Sequence, residues 1–352
     1  MKTQKISSTE YNLQLSLARI AACFAIVVLH TVFAANEYFI DTLSVSENLV
    51  SRIVENNMMW AVPVFLMVTG VLQLDPGKEL TWRKLYGKYM LRIAAALAVF
   101  SVLFRLFDII MDGEKFSLAG LFGTAFYELI TGHGWGHLWY LYLLIGLYVL
   151  MPFYRVVVRH CTDRELSYLA CVYVVFISVI PAIESFGINI DFYISESIIY
   201  PLYLLLGYMI AAGKLKIPAG VSAAILVIST AAIVYLDILR YGRGLEVPGM
   251  FFGYASPLVI AQSIGAFALF TGMRSGEGIA VRTWIRKLDG YTFGIYLISM
   301  VFVRLLFKYM KYNPYEGSAP VMLAVCVICI FAASCLATAL LKLVPGFRRG
   351  LL

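Results

Sequence analysis

The chain has 352 residues, of which 61% are apolar and 14% are charged, and its formal net charge is +7. A water-soluble domain carries about 25% charged residues, so this composition excludes an ordinary soluble domain and favours an integral membrane protein. A net positive charge can indicate nucleic-acid binding, but the distribution of the basic residues indicates membrane orientation instead, and no nucleic-acid partner is expected.

Apolar segments of transmembrane length follow one another along the whole chain. A bilayer core about 30 Å thick needs about 20 apolar residues per helix, and backbone groups in lipid must be paired within each segment. We therefore predict an all-α bundle of about ten spans in a single membrane-embedded domain, residues 1–352. The predicted spans are 12–35, 54–74, 86–108, 138–158, 166–183, 198–213, 217–237, 251–273, 291–310 and 319–344. A shorter apolar stretch, 116–131, is predicted to be interfacial or re-entrant.

The basic residues predict the orientation of these spans. With the N-terminus in the cytoplasm, nineteen Lys and Arg residues lie in the inner segments and six in the outer segments. This excess fits the positive-inside rule, and it places both termini in the cytoplasm. Arg19, Arg105 and Arg304 lie within predicted helices.

The first predicted helix carries a polar stripe. Arg19 and His30 are eleven residues apart, which places them on one helical face and about 16 Å apart along the axis. Asn12 falls on the same face. An ionisable side chain inside a membrane marks a functional site by default, and such a stripe has to face a protein interior or an aqueous path. The alternative is a buried structural arginine with a hydrogen-bonded core histidine.

Three of the four histidines collect toward the predicted outer face. His30 lies in the outer half of the first span, and His133 and His137 precede the fourth span. A neutral imidazole near pH 7 can take a proton from a hydroxyl group. Metal binding is less favoured because the histidines lack a metal-ligand spacing, and no metal site is predicted.

A basic segment lies on the predicted inner side between the second and third spans. It contains Arg83, Lys84, Lys88 and Arg92, and positions 84, 88 and 92 would share one face of a regular α-helix. Two interpretations remain open at this point. The segment can anchor the chain to anionic lipid, or it can bind a phosphorylated cofactor.

Several short motifs occur in a characteristic order. They are Arg19-x10-His30; Val62-Pro63-Val64-Phe65 followed by Thr69-Gly70; the basic residues Arg83, Lys84 and Arg92; His137-Leu138-Trp139-Tyr140-Leu141; and the segment from Leu288 to Ile298. In this order the chain resembles the acyltransferase-3 family of membrane acyltransferases, which includes bacterial O-acetyltransferases of cell-envelope polysaccharides. Ser299 stands where many members have a histidine, and Asn12 replaces a common aspartate.

The resemblance implies a multi-pass bacterial cell-membrane enzyme that uses acyl-CoA as donor and a hydroxyl of an envelope glycan or lipid-linked sugar as acceptor. The basic segment Arg83, Lys84, Lys88 and Arg92 would receive the CoA phosphates. His30 would be the general base, and Arg19 would hold an acyl or phosphate oxygen or position the helix.

On the outer side, His137 would act with Trp139 and Tyr140 to shape the mouth where the acceptor enters, either as a catalytic or as a structural residue. Asn12 would belong to the substrate path. The resemblance also leaves a second interpretation open, namely a transporter or flippase for a small molecule or envelope precursor. A polar stripe through a helical bundle suits that function as well.

Overall fold

The computed structural model describes residues 8–188, 190, 198–273 and 279–351. The side chains of residues 8–12, 279 and 349 are not among the parts described. The regular elements within these ranges are all helical. In chain order they are α1 (Ser8–Phe39), α2 (Val45–Asn57), α3 (Ala61–Gln73), α4 (Trp82–Met111), α5 (Leu118–Thr131), α6 (Gly136–His160), α7 (Asp163–Glu184), α8 (Tyr200–Ala211), α9 (Ala219–Gly242), α10 (Pro257–Gly272), α11 (Ile279–Asp289), α12 (Thr292–Tyr309) and α13 (Ala319–Leu341).

Eight helical stretches in the described ranges are long and apolar enough to cross a membrane, and each matches one of the ten predicted spans. They are Leu13–Thr42, Trp82–Met111, Gly136–His160, Asp163–Glu184, Ala219–Gly242, Gly249–Gly272, Thr292–Tyr309 and Ala319–Leu341. The predicted spans 54–74 and 198–213 correspond to shorter helices instead. The 13 residues of α3 and the 12 of α8 extend only about 20 Å and 18 Å, less than the thickness of a bilayer core.

Local sequence explains why these two helices are short. Pro63 lies in the first turn of α3, where its missing N–H is tolerated, but its ring prevents the preceding α2 from continuing through residues 58–60. Pro201 lies in the first turn of α8. Gly213, which has a φ of 69°, follows the end of the same helix in a left-handed conformation that favours glycine.

The two short helices α3 and α8 cross in direct backbone contact at the centre of the molecule. A Cβ added to Gly207 would lie 2.2 Å from the backbone oxygen of Met67, and one added to Gly70 would lie 2.0 Å from that of Leu204. Most of their side chains are buried, as expected for a helix that is apolar on all sides. The pair therefore forms an internal layer around which the longer helices pack.

Helix α1 also occupies a central position. It packs against α2, α3, α10, α11, α12 and α13, and its side chains contribute to the two larger hydrophobic clusters. The polar residues that it carries therefore face protein along much of the helix, as the polar stripe predicts.

Four of the long helices contain a π-helical turn. These turns are Leu85–Met90, Val175–Val179, Ile238–Gly242 and Leu305–Tyr309. Lys88 lies inside the first of them, where the i→i+5 hydrogen bonds change the angular spacing of side chains. Positions 84, 88 and 92 were predicted to share one face on the basis of α-helical spacing, and the π-helical turn between Leu85 and Met90 changes that spacing.

Candidate active site

Two histidines from distant parts of the sequence meet near one end of the bundle. His30 comes from α1, and His137 comes from the single 3₁₀ turn that opens α6. Their ring centroids are 6.1 Å apart with the planes inclined at 73°. His137 is buried and His30 is half-buried. Both residues were predicted as site residues, and the structure brings them together.

Hydrogen bonding fixes the tautomer of His137. Its Nε2 lies 3.2 Å from the carbonyl oxygen of Leu297, and because a carbonyl can only accept, Nε2 must carry the hydrogen. The other ring nitrogen, Nδ1, is buried and has no hydrogen-bond partner among the described residues, and the same holds for Nδ1 of His30. In the neutral form of His137, Nδ1 is therefore the nitrogen that can accept a proton or a hydrogen bond.

Helix α12 holds His137 from two sides. The carbonyl of Leu297 accepts from its ring, while the hydroxyl of Tyr296 donates to its backbone carbonyl. The Tyr296 and His137 rings also make an edge contact at 5.7 Å. Ser299, buried in the next turn, donates to the carbonyl of Tyr296 at 3.3 Å. The sequence singled out this segment as a motif without giving these residues a role, and the structure shows that the segment positions a histidine.

An ion pair between α4 and α12 braces the loop that precedes His137. Asp108 accepts hydrogen bonds from Nε1 of Trp135 at 2.8 Å and from Arg304 at 2.9 Å. The Arg304 guanidinium lies 3.8 Å from the centroid of the Trp135 ring. Gly132, with a φ of 73°, ends α5 and turns the chain into this loop. Sequence reasoning missed Asp108, although a charged residue inside a membrane helix signals a need for such a partner.

Aromatic rings extend outward from the histidine pair. Tyr140 contacts the ring of Tyr296 at 5.8 Å, and Trp139 contacts Tyr200 at 6.0 Å and Tyr254 at 5.6 Å. Trp139, two residues after His137 in the chain, is 37% exposed. Trp139 and Tyr140 were predicted as substrate-binding residues. Tyr200 and Tyr254 were not predicted, because nothing in the sequence marks which distant aromatics meet.

Arg19 lies away from the histidine pair, about 16 Å along the same continuous helix. Its guanidinium forms an ion pair with Asp289 at 2.5 Å, and the hydroxyl of Ser16 donates to the same carboxylate oxygen at 2.8 Å. The structure therefore pairs Arg19 with Asp289, at the end of α11 and within the Leu288–Ile298 motif, and not with His30. Sequence reasoning did not predict Asp289. The side chain of Asn12 lies outside the described residues.

The basic segment lies at the other end of α4. Arg83, Lys84, Lys88 and Arg92 are all exposed. Lys88 lies over the Tyr89 ring at 6.0 Å, and Arg92 lies over the Phe293 ring at 5.8 Å. Arg83 and Lys84 form no ion pair within the described ranges, so their charges are available to solvent, lipid or a ligand.

These features place the chain among multi-pass helical membrane proteins with a paired-histidine site. Within the described ranges, no three or more His, Cys, Asp or Glu side chains come together as potential metal ligands. The chain matches the acyltransferase domain family model over residues 12–340, so it belongs to the acyltransferase-3 family. Comparisons with curated proteins and with solved structures give no match.

Proposed function

We propose that the protein is a membrane O-acyltransferase that moves an acyl group, in the simplest case acetyl, from cytoplasmic acyl-CoA to a hydroxyl of a cell-envelope glycan or lipid-linked sugar. The observation that carries this proposal is the edge-to-face pair of imidazoles, His30 and His137, whose ring centroids are 6.1 Å apart. Membership of an acyltransferase family supports the reaction class.

In the proposed reaction the acceptor hydroxyl oxygen attacks the carbonyl carbon of the thioester, and the carbon–sulfur bond breaks. His30 takes the hydroxyl proton and returns a proton to the departing sulfur, so the products are an O-acyl ester and free CoA. Positioned proton transfer contributes about 10²- to 10⁴-fold to the rate. Orientation of the two substrates by the bundle supplies much of the remainder.

His137 has a second role in this proposal. Because its Nε2 donates to Leu297, only Nδ1 is left to hydrogen-bond the neighbouring imidazole or the acceptor. The contacts from Tyr296 and from the Asp108–Trp135–Arg304 network hold the ring in place. A fixed second imidazole that hydrogen-bonds one ring nitrogen of His30 would leave the other ring nitrogen to accept the proton.

The donor would enter from the basic end of the molecule. We place ten membrane-embedded segments in one unit over residues 1–352, with both termini cytoplasmic and with α3 and α8 as short internal segments. Arg83, Lys84, Lys88 and Arg92 would then face the cytoplasm and bind the CoA phosphates, since exposed basic side chains suit phosphate recognition. Arg19 and Asp289 would lie between this entrance and the histidine pair.

The acceptor would approach from the opposite face along Trp139 and Tyr140. Sugar rings bind against aromatic faces through apolar contact, and the partly exposed Trp139 follows the buried His137 by two residues in the chain. This division of the two faces means that the acyl group, and not the whole donor, crosses the membrane.

The test is release of free CoA from acetyl-CoA by purified protein in lipid vesicles with a glycan acceptor. His30→Ala should lower the rate by about 10²-fold or more. His160→Ala is the matched control, because His160 is exposed at the far end of α6, and it should behave like wild type. Acceptor flux across the vesicle membrane without any CoA release would instead favour a transporter.

A further inference from the structure

A cavity of about 550 Å³ lies where the ends of α7 and α9 meet the loop before α10. Its lining includes Ser185, Phe186, Arg240 and Glu246. In the proposed topology α7 and α9 both end on the outer side, which is also the side of His30 and His137. The cavity and the proposed acceptor entrance therefore share one face of the membrane.

Arg240 is the main charged feature of this cavity. Its guanidinium lies 5.3 Å from the Tyr241 ring centroid and 5.6 Å from that of Phe252, so two aromatic rings restrict its position. It forms no ion pair with any carboxylate in the part of the chain that the structure describes. A planar guanidinium of this kind suits bidentate binding of a carboxylate.

The neighbouring Arg52 differs from Arg240 in having carboxylate partners. Arg52 lies over the same Tyr241 ring at 5.7 Å, but Glu37 and Glu55 each pair with it at 3.0 Å. The charge of Arg52 is thus balanced by two ion pairs, whereas Arg240 interacts with the Asp237 carboxylate only at longer range.

Glu246 and Phe186 narrow the class of ligand. The exposed carboxylate of Glu246 can accept hydrogen bonds from hydroxyl groups, and it would repel a ligand with several negative charges. Phe186 packs against Phe251 with centroids 5.7 Å apart and gives the cavity an apolar wall. Together with Arg240, these groups match a hydroxyl-rich molecule that carries one carboxylate.

Aromatic residues that begin at Phe252, the ring under Arg240, link the surroundings of the cavity to the proposed site. Phe252 is two residues before Tyr254, whose ring contacts Trp139 at 5.6 Å. Trp139 in turn contacts Tyr140 at 6.1 Å, and Tyr140 lies next to the Tyr296 ring that holds His137. Packed aromatic rings therefore join this part of the molecule to the part that holds the histidines.

We propose that the cavity around Arg240 binds an acidic sugar residue, a uronic acid or a chemically similar unit, of the glycan that accepts the acyl group. The prediction that an acidic sugar binds depends only on the cavity. The inference that this sugar belongs to the acceptor rests on the function proposed above.

The test is calorimetric titration of the full chain in phosphatidylcholine nanodiscs with D-glucuronate and with neutral D-glucose. Wild type should bind glucuronate more tightly than glucose. Arg240→Gln should weaken glucuronate binding by about tenfold or more, since it removes a charge-assisted contact, and Arg240→Lys should recover only part of it because a lysine lacks the planar fork. Arg243→Gln is the matched control, an exposed arginine one turn away outside the cavity lining, and it should bind as wild type does.

Three results would overturn the proposal: equal affinity for the two sugars, unchanged affinity in Arg240→Gln, or loss of glucuronate binding when phosphatidylglycerol replaces phosphatidylcholine. The last result would assign the cavity to a lipid headgroup. Glu246→Gln offers a second variant in an exposed loop if Arg240→Gln folds poorly, and it should increase the preference for glucuronate over glucose because it removes a negative charge from the cavity. Because the CoA-release assay does not enter this titration, failure of the acyltransferase proposal and failure of the sugar-binding proposal give separate results.

Discussion

Replacing Asp108 by alanine should destabilise the protein and misplace His137. The carboxylate of Asp108 holds two donors, Arg304 at 2.9 Å and the indole N–H of Trp135 at 2.8 Å. The pair is largely enclosed, with side-chain exposures of 25% for Arg304 and 16% for Asp108. Breaking a buried pair costs about 3–5 kcal/mol, and the residual exposure lowers this to about 2–3 kcal/mol, with the donors left partly unsatisfied.

Asp112→Ala provides a control of the same residue type on the same chain segment. Asp112 pairs with Lys308 one turn beyond the first pair, but both side chains are more exposed, at 36% and 34%. Exposed ion pairs contribute little to stability, so this variant should unfold at the wild-type temperature.

Thermal unfolding in detergent measures the first part of this prediction. A loss of about 2–3 kcal/mol should lower the Tm of Asp108→Ala by about 4 °C or more. The rate of acyl transfer should fall by about tenfold or more in the same variant, because Trp135 is two residues before His137 and small displacements at a reacting group are costly. Equal Tm values and equal rates for Asp108→Ala and Asp112→Ala would refute the argument that this network braces the site.

Three further predictions concern other parts of the molecule. Gly207→Ala should lower the free energy of unfolding by about 1–3 kcal/mol because the new Cβ overlaps the backbone of α3. Gly146→Ala, with open space around its Cβ, should be neutral or stabilising. Equal unfolding temperatures for the two variants would contradict the close crossing. Reversing the charges of Arg83 and Lys84 should raise the KM for acetyl-CoA while leaving kcat and membrane insertion nearly unchanged, and an unaltered KM would favour lipid anchoring. A double-mutant cycle in thermal unfolding between Arg19 and Asp289 should give a coupling of about 1 kcal/mol or more, and additivity would contradict the ion pair.

Hydropathy predicted most of the fold because the bilayer imposes a length on each helix. Eight predicted spans recur as long apolar helices. The segments 54–74 and 198–213 are apolar enough to resemble spans, but Pro63 and Pro201 mark where their helices begin. The π-helical turns were not predicted, because an i→i+5 hydrogen bond leaves no simple residue pattern.

The sequence nominated candidate site residues but did not indicate which of them lie together. The cost of an ionisable group in a membrane pointed to Arg19 and His30, and the structure places them with different partners. Long-range helix packing brings Asp289 to Arg19 and the α12 backbone to His137, which a local pattern does not encode. Asp108 could have been suspected from the presence of Arg304 in another helix, since each needs an opposite charge.

The most direct measurement is acyl transfer across a sealed membrane. Protein is reconstituted in vesicles with labelled acetyl-CoA confined to the face that bears Arg83 and Lys84, and a hydroxyl-bearing glycan is supplied on the opposite face. The proposed mechanism predicts labelled O-acetyl ester on that glycan in the wild type and in His160→Ala, with a loss of about 10²-fold or more in His30→Ala. Undiminished transfer by His30→Ala, or movement of the glycan without ester formation in the wild type, would contradict it.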